Sequence, residues 1–120
     1  MHDKVNLAEK LAQFNDHWAP RTVIQLNDYD IMVVKVQGEF VWHHHDQEDE
    51  LFLVVKGSFE MELRDKTILL REGEFLIVPK GVEHRPVAKE EVWVLLFEQA
   101  STLNTGNVID EKTKVQLDKI

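Results

Sequence analysis

Beyond Pro20 the apolar positions of this 120-residue chain alternate with polar ones over short stretches, and small turn-forming clusters separate the stretches. A two-residue period puts successive side chains on opposite faces of extended backbone, so each stretch reads as a strand. The pattern predicts eight strands, at 21–26, 30–36, 39–44, 50–55, 59–64, 67–71, 75–78 and 92–98. Asn27-Asp28, Gly38, Lys56-Gly57, Asp65-Lys66, Glu72-Gly73 and Lys80-Gly81 supply the turns between them. No connecting segment is long enough for a crossover helix, which disfavours a parallel βαβ sheet. The expected fold is all-β: a small antiparallel double-sheet β-barrel of jelly-roll type, which manages the exposed strand edges best.

The ends of the chain read differently. Leu7, Leu11 and Phe14 fall at helical spacing, and Asn6 followed by Glu9 is a capping-box start, so a short helix is expected within an N-terminal segment 1–20. The barrel is assigned to 21–100. From Ser101 the composition turns polar, and 101–120 is expected to be a tail that either frays or docks on a partner subunit.

Composition narrows the function. Lys+Arg 14 against Asp+Glu 22 gives a formal charge of −8, which repels phosphate backbones and anionic headgroups. Nucleic acid and membrane are therefore not expected partners. The apolar runs are far shorter than the roughly twenty residues a spanning helix needs, no secretory leader is read at the N-terminus, and a cytoplasmic protein is expected. The chain has no cysteine, so any metal must be held by histidine and carboxylate.

Such a set exists. Three of the six histidines stand together at His43, His44 and His45, Glu50 opens the next strand, and His84 follows the turn at Gly81. Strand parity sends His43 and His45 to one face and His44 to the other, and Glu50 and His84 approach the same pocket from neighbouring segments. Three imidazoles and a carboxylate suit a divalent transition metal such as Zn, Fe, Ni or Mn and suit Ca or Mg poorly. His2 and His17 match no motif and are assigned to surface or packing roles.

These residues resemble the cupins. Gly38, four residues, His43-His44-His45, four residues, Glu50, six residues and Gly57 repeat the first cupin motif with its first gap one residue short. Gly73, five residues, Pro79-Lys80-Gly81, two residues and His84 repeat the second motif, with Ala88 where the family has an asparagine that is not a metal ligand. The two motifs cover 38–88. The short gap admits a rival register with His44 and Asp46 inward, rejected because it supplies one imidazole instead of two and brings Phe40 and Trp42 into the ligand row.

The resemblance implies one divalent transition metal per chain, held inside the barrel by His43, His45, Glu50 and His84, with two coordination positions left for water, substrate or dioxygen. It also implies metal-dependent chemistry on a small oxygen-bearing substrate, of oxygenase, decarboxylase or isomerase type; the alternative is a non-catalytic cupin that binds or senses a small molecule or metal. Small single-domain cupins of this appearance carry a mannose-6-phosphate-isomerase-like label, which is taken as a statement of fold because no phosphate cradle is visible. By parity the substrate pocket is expected to be lined by Val41, Phe52, Val54 and Pro86, with Glu39 a candidate general base unless a bulge at Gly38 turns it outward. Arg85 is expected to point away into a structural ion pair. Phe40 and Trp42 facing outward, and a last strand apolar on both faces, predict a homodimer.

Overall fold

A computed structural model describes residues 3–120; His2 lies outside the described residues. The chain runs through helix α1 (Leu7–Leu11) and strands β1 (Arg21–Leu26), β2 (Tyr29–Glu39), β3 (Glu50–Lys56), β4 (Ser58–Leu63), β5 (Thr67–Arg71), β6 (Phe75–Val78), β7 (His84–Gln99) and β8 (Asp118–Lys119). The Asn6 side chain accepts a hydrogen bond of 3.0 Å from the Glu9 amide, as the capping-box reading requires. Phe14 lies beyond the helix, held by the Lys35 ammonium, which donates to its carbonyl at 2.6 Å.

The strands form a jelly roll organised around the long β7. Its first residues pair with β4, its later ones pair with β3, and β2 runs antiparallel along most of its length. The full order is β5-β4-β7-β2-β1-β8, with β3 between β7 and β6, and every pairing is antiparallel except β1 with β8. A strand of 16 residues cannot stay in one flat sheet, so β7 bends from one layer into the other and wraps the sheet around its contents. The inward residues of its second half, Val92, Val94 and Leu96, meet Met32, Val34, Phe52, Val54, Phe59 and Met61 in the core. Burial of each such side chain is worth about 1.5–3 kcal/mol.

Two sequence expectations change in the folded chain. No strand spans 39–44: β2 runs through Glu39, and beyond it only His43 makes a bridge, with His84. The change begins at Gly38, whose φ of +86° accompanies a register shift between Val36 and Gly38. The shift sets residues 89–91 of β7 opposite residue 37 alone, so the extra residues lie in β7 and β2 keeps its alternation. Phe40 therefore continues the inward row of Met32, Val34 and Val36, against the outward position expected, and stacks on Trp18 at 4.7 Å between ring centroids; the facing changes only in the irregular segment 40–42, which brings His43 inward. Trp42 does face out, half-buried beneath the guanidinium groups of Arg64 and Arg85.

The polar segment after Ser101 does not fray; it docks on its own barrel. β8 pairs with β1, and the Ile120 amide donates to the Thr22 carbonyl. Its polar residues bond to one another: the Asn104 side chain donates to Lys112 O and accepts from Lys114 N, both at 2.8 Å, while the fully buried Thr105 meets Thr113 at 2.6 Å. On the outer face Leu11 of α1 and Phe14 just beyond it are buried against Val33, with Trp93 and Val55 beside them. Farther along that face Phe75 and Ile77 remain 62% and 52% exposed, next to the half-buried Leu51, Leu53, Leu95 and Phe97.

Candidate metal centre

Glu50 and His84 are the first residues of β3 and β7, and their side chains meet inside the barrel, His84 Nε2 lying 3.4 Å from Glu50 Oε1. The His43–His84 bridge places a second imidazole there: His43 N donates to His84 O at 3.1 Å and His84 N to His43 O at 2.9 Å. His45 comes two residues later with the same inward orientation, and its Nε2 lies 3.2 Å from Glu50 Oε1. His44 turns outward to Asp46 at 2.8 Å, which supports the register chosen from sequence.

All four inward residues are at most 4% exposed, and one ligand atom from each lies within 4.8 Å of the others. A metal with bonds of about 2.1 Å requires donor atoms at this order of separation. The tautomers are prepared as well. His43 Nδ1 and His84 Nδ1 each lie 2.9 Å from the carbonyl two residues back, Val41 O and Val82 O. With Nδ1–H donated there, each ring presents a bare Nε2 lone pair, as a metal ligand must. His84 Nε2 is fully buried, lies 3.4 Å from Glu50 Oε1, and has no hydrogen-bond partner. Four buried donors, one of them orphaned, fit a bound divalent transition metal.

The electrostatics agree with that fit. Burial pushes the His43 imidazole down to about 4, helped by the neighbouring His84, so the ring is neutral. Burial would lower His45 too, but the Glu50 carboxylate beside it outweighs that effect and raises it. Glu50 lies well below the usual carboxylate range: burial opposes this, and the neighbouring Glu98, His45 and His84 side chains overcome it. Burial first, and the adjacent Glu50 charge second, hold Glu98 well above the ordinary carboxylate range.

Beside the four donors lies an apolar cavity of about 40 Å³, whose walls include Trp18, Val36, Phe40, Phe52, Phe59, Pro86 and Leu96, with Glu98 and Asn104 among its few polar residues. Phe52 and Pro86 thus line it as expected. Val54 is 1% exposed in the core beyond the cavity, and Val41 is not on the wall, because the inward row of Val34 and Val36 continues to Phe40. The same parity removes Glu39 as a general base: its side chain is 65% exposed and lies 3.5 Å from Arg85, on the outside of the barrel. Arg85 also binds Glu62 at 2.7 Å and is structural, as parity indicated. His17 pairs with Glu91 at 2.7 Å on the surface.

Glu98 escaped the sequence reading although its signal was present. It continues the inward row Val92, Val94, Leu96 and stands directly opposite Glu50 in the β3–β7 register. A carboxylate ending an inward apolar row needs a polar destination. Trp18 and Asn104 come from segments distant in sequence and carry no local signal.

Comparison with known proteins agrees with this construction. The family Cupin_2, described as Cupin domain, matches residues 30–97. A crystal structure of a cupin-2 domain containing protein from Shewanella frigidimarina NCIMB 400 superposes with a TM-score of 0.78 at 46% identity, over 79% of this chain and 93% of that one. "Uncharacterized protein YdbB" of Bacillus subtilis is 33% identical over 81 residues, 67% of this chain and 72% of that protein. More distantly, "3-hydroxyanthranilate 3,4-dioxygenase" of Neurospora crassa is 26% identical over 66% of this chain and only 46% of its own length. With both motifs carried on a jelly roll and their four polar side chains gathered at one buried point, this chain belongs to the cupin domain family.

Proposed function

We propose that this cupin is a divalent-metal-dependent enzyme acting on a small oxygen-bearing molecule, with oxygenase chemistry the best-supported reaction type. The observation that carries this is the buried cluster of His43, His45, Glu50 and His84 opening onto an apolar cavity instead of being sealed by protein. The partial similarity to a dioxygenase supports the reaction type. A transition metal held there supplies a Lewis acid and template, and in the case of iron or manganese a redox centre. The protein's own contribution is positional. His43 and His84 offer Nε2 atoms oriented by carbonyl partners at Nδ1, His45 Nε2 lies beside Glu50, and Glu50 offsets the metal charge. Trp18, Phe40 and Phe52 exclude bulk water from the bound substrate, which strengthens every electrostatic interaction within.

Protein purified without chelator and reconstituted with Fe(II), Mn(II), Co(II), Ni(II) or Zn(II) is expected to hold about one metal per chain by elemental analysis. Oxygen uptake and product formation across diketones, phenolics, thiols and sugars test turnover. One bound metal with no turnover anywhere on that panel would shift the reading to a non-catalytic binding module, which the small cavity volume would suit. A second copy of the chain is proposed to cover the outer face bearing Phe75 and Ile77. Light scattering is then expected to give twice the 14.0 kDa chain mass, and a monomeric mass at micromolar concentration would refute the dimer.

A further inference from the structure

The cavity wall combines an apolar surface with one under-bonded acid. Glu98 is 3% exposed, lines the cavity and stands opposite Glu50 in the β3–β7 register, while its Oε2 accepts from no protein donor. A carboxyl group has about four lone-pair sites, so the partnerless Oε2 leaves acceptor capacity unused at a position where an unmet acceptor is costly. The other polar group near it is already committed: the Asn104 amide is used on both its oxygen and its nitrogen, by Lys114 N and Lys112 O. No lysine or arginine is among the residues that line the cavity.

We propose that Glu98 is the ligand-anchoring residue of the cavity and selects small neutral molecules that present a hydroxyl donor beside the oxygen that meets the His43–His45–Glu50–His84 cluster. This rests on the reading of those four residues as a metal centre and adds the substrate class. Three features of the wall set that class. The apolar surface takes a hydrocarbon body, with Phe52 and Phe59 available to face a ring or short chain. The spare acceptor of Glu98 takes an O–H. The wall has no lysine or arginine, so a carboxylate or phosphate substituent turned away from the metal toward Glu98 would be buried unpaired and is disfavoured. A site built to accept a hydrogen bond discriminates strongly against an analogue lacking the donor.

The test uses catechol, 2-methoxyphenol and benzoate as probes of Co(II)-loaded protein, with binding read by calorimetry and by the cobalt absorption spectrum. Catechol is expected to bind at least about tenfold more tightly than 2-methoxyphenol, the ordinary value of a hydrogen bond to a buried or charged group, and benzoate more weakly than either. Metal chelation by catechol could produce a preference by itself, so the variants decide. Glu98→Leu is expected to retain one cobalt per chain and to lose most of the ratio between the two phenols. Glu98→Gln is expected to keep the ratio, since its amide oxygen still accepts from the ligand. An unchanged ratio in Glu98→Leu with cobalt fully bound, or benzoate binding tighter than catechol, would overturn the role of Glu98 alone. Failure of the unaltered protein to bind cobalt would overturn the metal centre, and this inference with it.

Discussion

Replacing His84 by alanine is expected to reduce bound metal from about one equivalent per chain to less than about a tenth under the same purification, the largest single effect on the site. His84 is fully buried, its Nε2 has no other partner, and its Nδ1 is fixed by Val82 O, so nothing nearby can substitute for it. Loss of one ligand from a preorganised set removes both a donor and the geometry that the remaining donors share. His45→Ala is expected to act in the same direction, whereas His44→Ala is expected to leave metal content nearly unchanged because that ring faces Asp46 at the surface. Equal losses in the His44 and His45 variants would invert the register. Affinity is also expected to fall as pH is lowered. His43, at about 4, stays unprotonated through the neutral range and offers no proton competition there. His45, raised above its ordinary value by Glu50, must release a proton to bind, so metal affinity falls about tenfold per pH unit once the pH is below its pKa. Titration with Zn(II) between pH 5 and 8 reads this directly.

Gly106→Ala is expected to unseat the C-terminal segment and to destabilise the fold by about 2–4 kcal/mol, near the upper end of single-substitution effects. A Cβ at this position would lie 2.2 Å from His44 O, 2.9 Å from His44 C and 3.1 Å from His43 Cδ2. The first two are backbone atoms of the ligand-bearing segment and cannot rotate away. The residue also has φ of +57°, which costs a side chain roughly a further 1 kcal/mol. Relief requires pulling 104–107 away from 43–45, which breaks the pair in which Asn107 Oδ1 accepts from His44 N at 2.9 Å and Asn107 N donates to His44 O at 3.1 Å. Denaturant unfolding and amide exchange at His44 and Asn107 check this. Unchanged midpoint and unchanged protection would mean that the segment is not seated on the histidine loop. Because Asn104 lines the cavity, the same variant is expected to release metal faster.

The site was legible in the sequence as far as its interactions are local. Strand parity between His43 and His45, the opening of β3 at Glu50 and the turn before His84 are short-range properties, and all four ligand candidates were named from them. The alternation in 50–78 likewise marks β3, β5 and β6 within a residue of their observed bounds. Parity fails where it is carried from His43 back through 40–42, because that segment is not strand, and Gly38 reads as a turn in the sequence but lies inside β2. The unbroken alternation of β2 sets Phe40 instead of Val41 on the cavity wall and sends Glu39 outward. Nor could composition distinguish a fraying tail from 101–120 as it folds, since the same Asn and Thr side chains that suit solvent also bond to one another when held close.

The amino-acid sequence by itself determined the strand-rich architecture, the absence of thiolate chemistry, the set of metal-ligand candidates and the direction each faces, because period, composition and motif spacing are properties of neighbouring residues. Only the tertiary structure decided what surrounds them. It joined Trp18, Phe40 and Asn104 into one cavity wall, laid the C-terminal segment against His44, and set Glu98 opposite Glu50. Those contacts link positions tens of residues apart, and their existence depends on the bend of β7 and its register shift against β2, which no local pattern encodes.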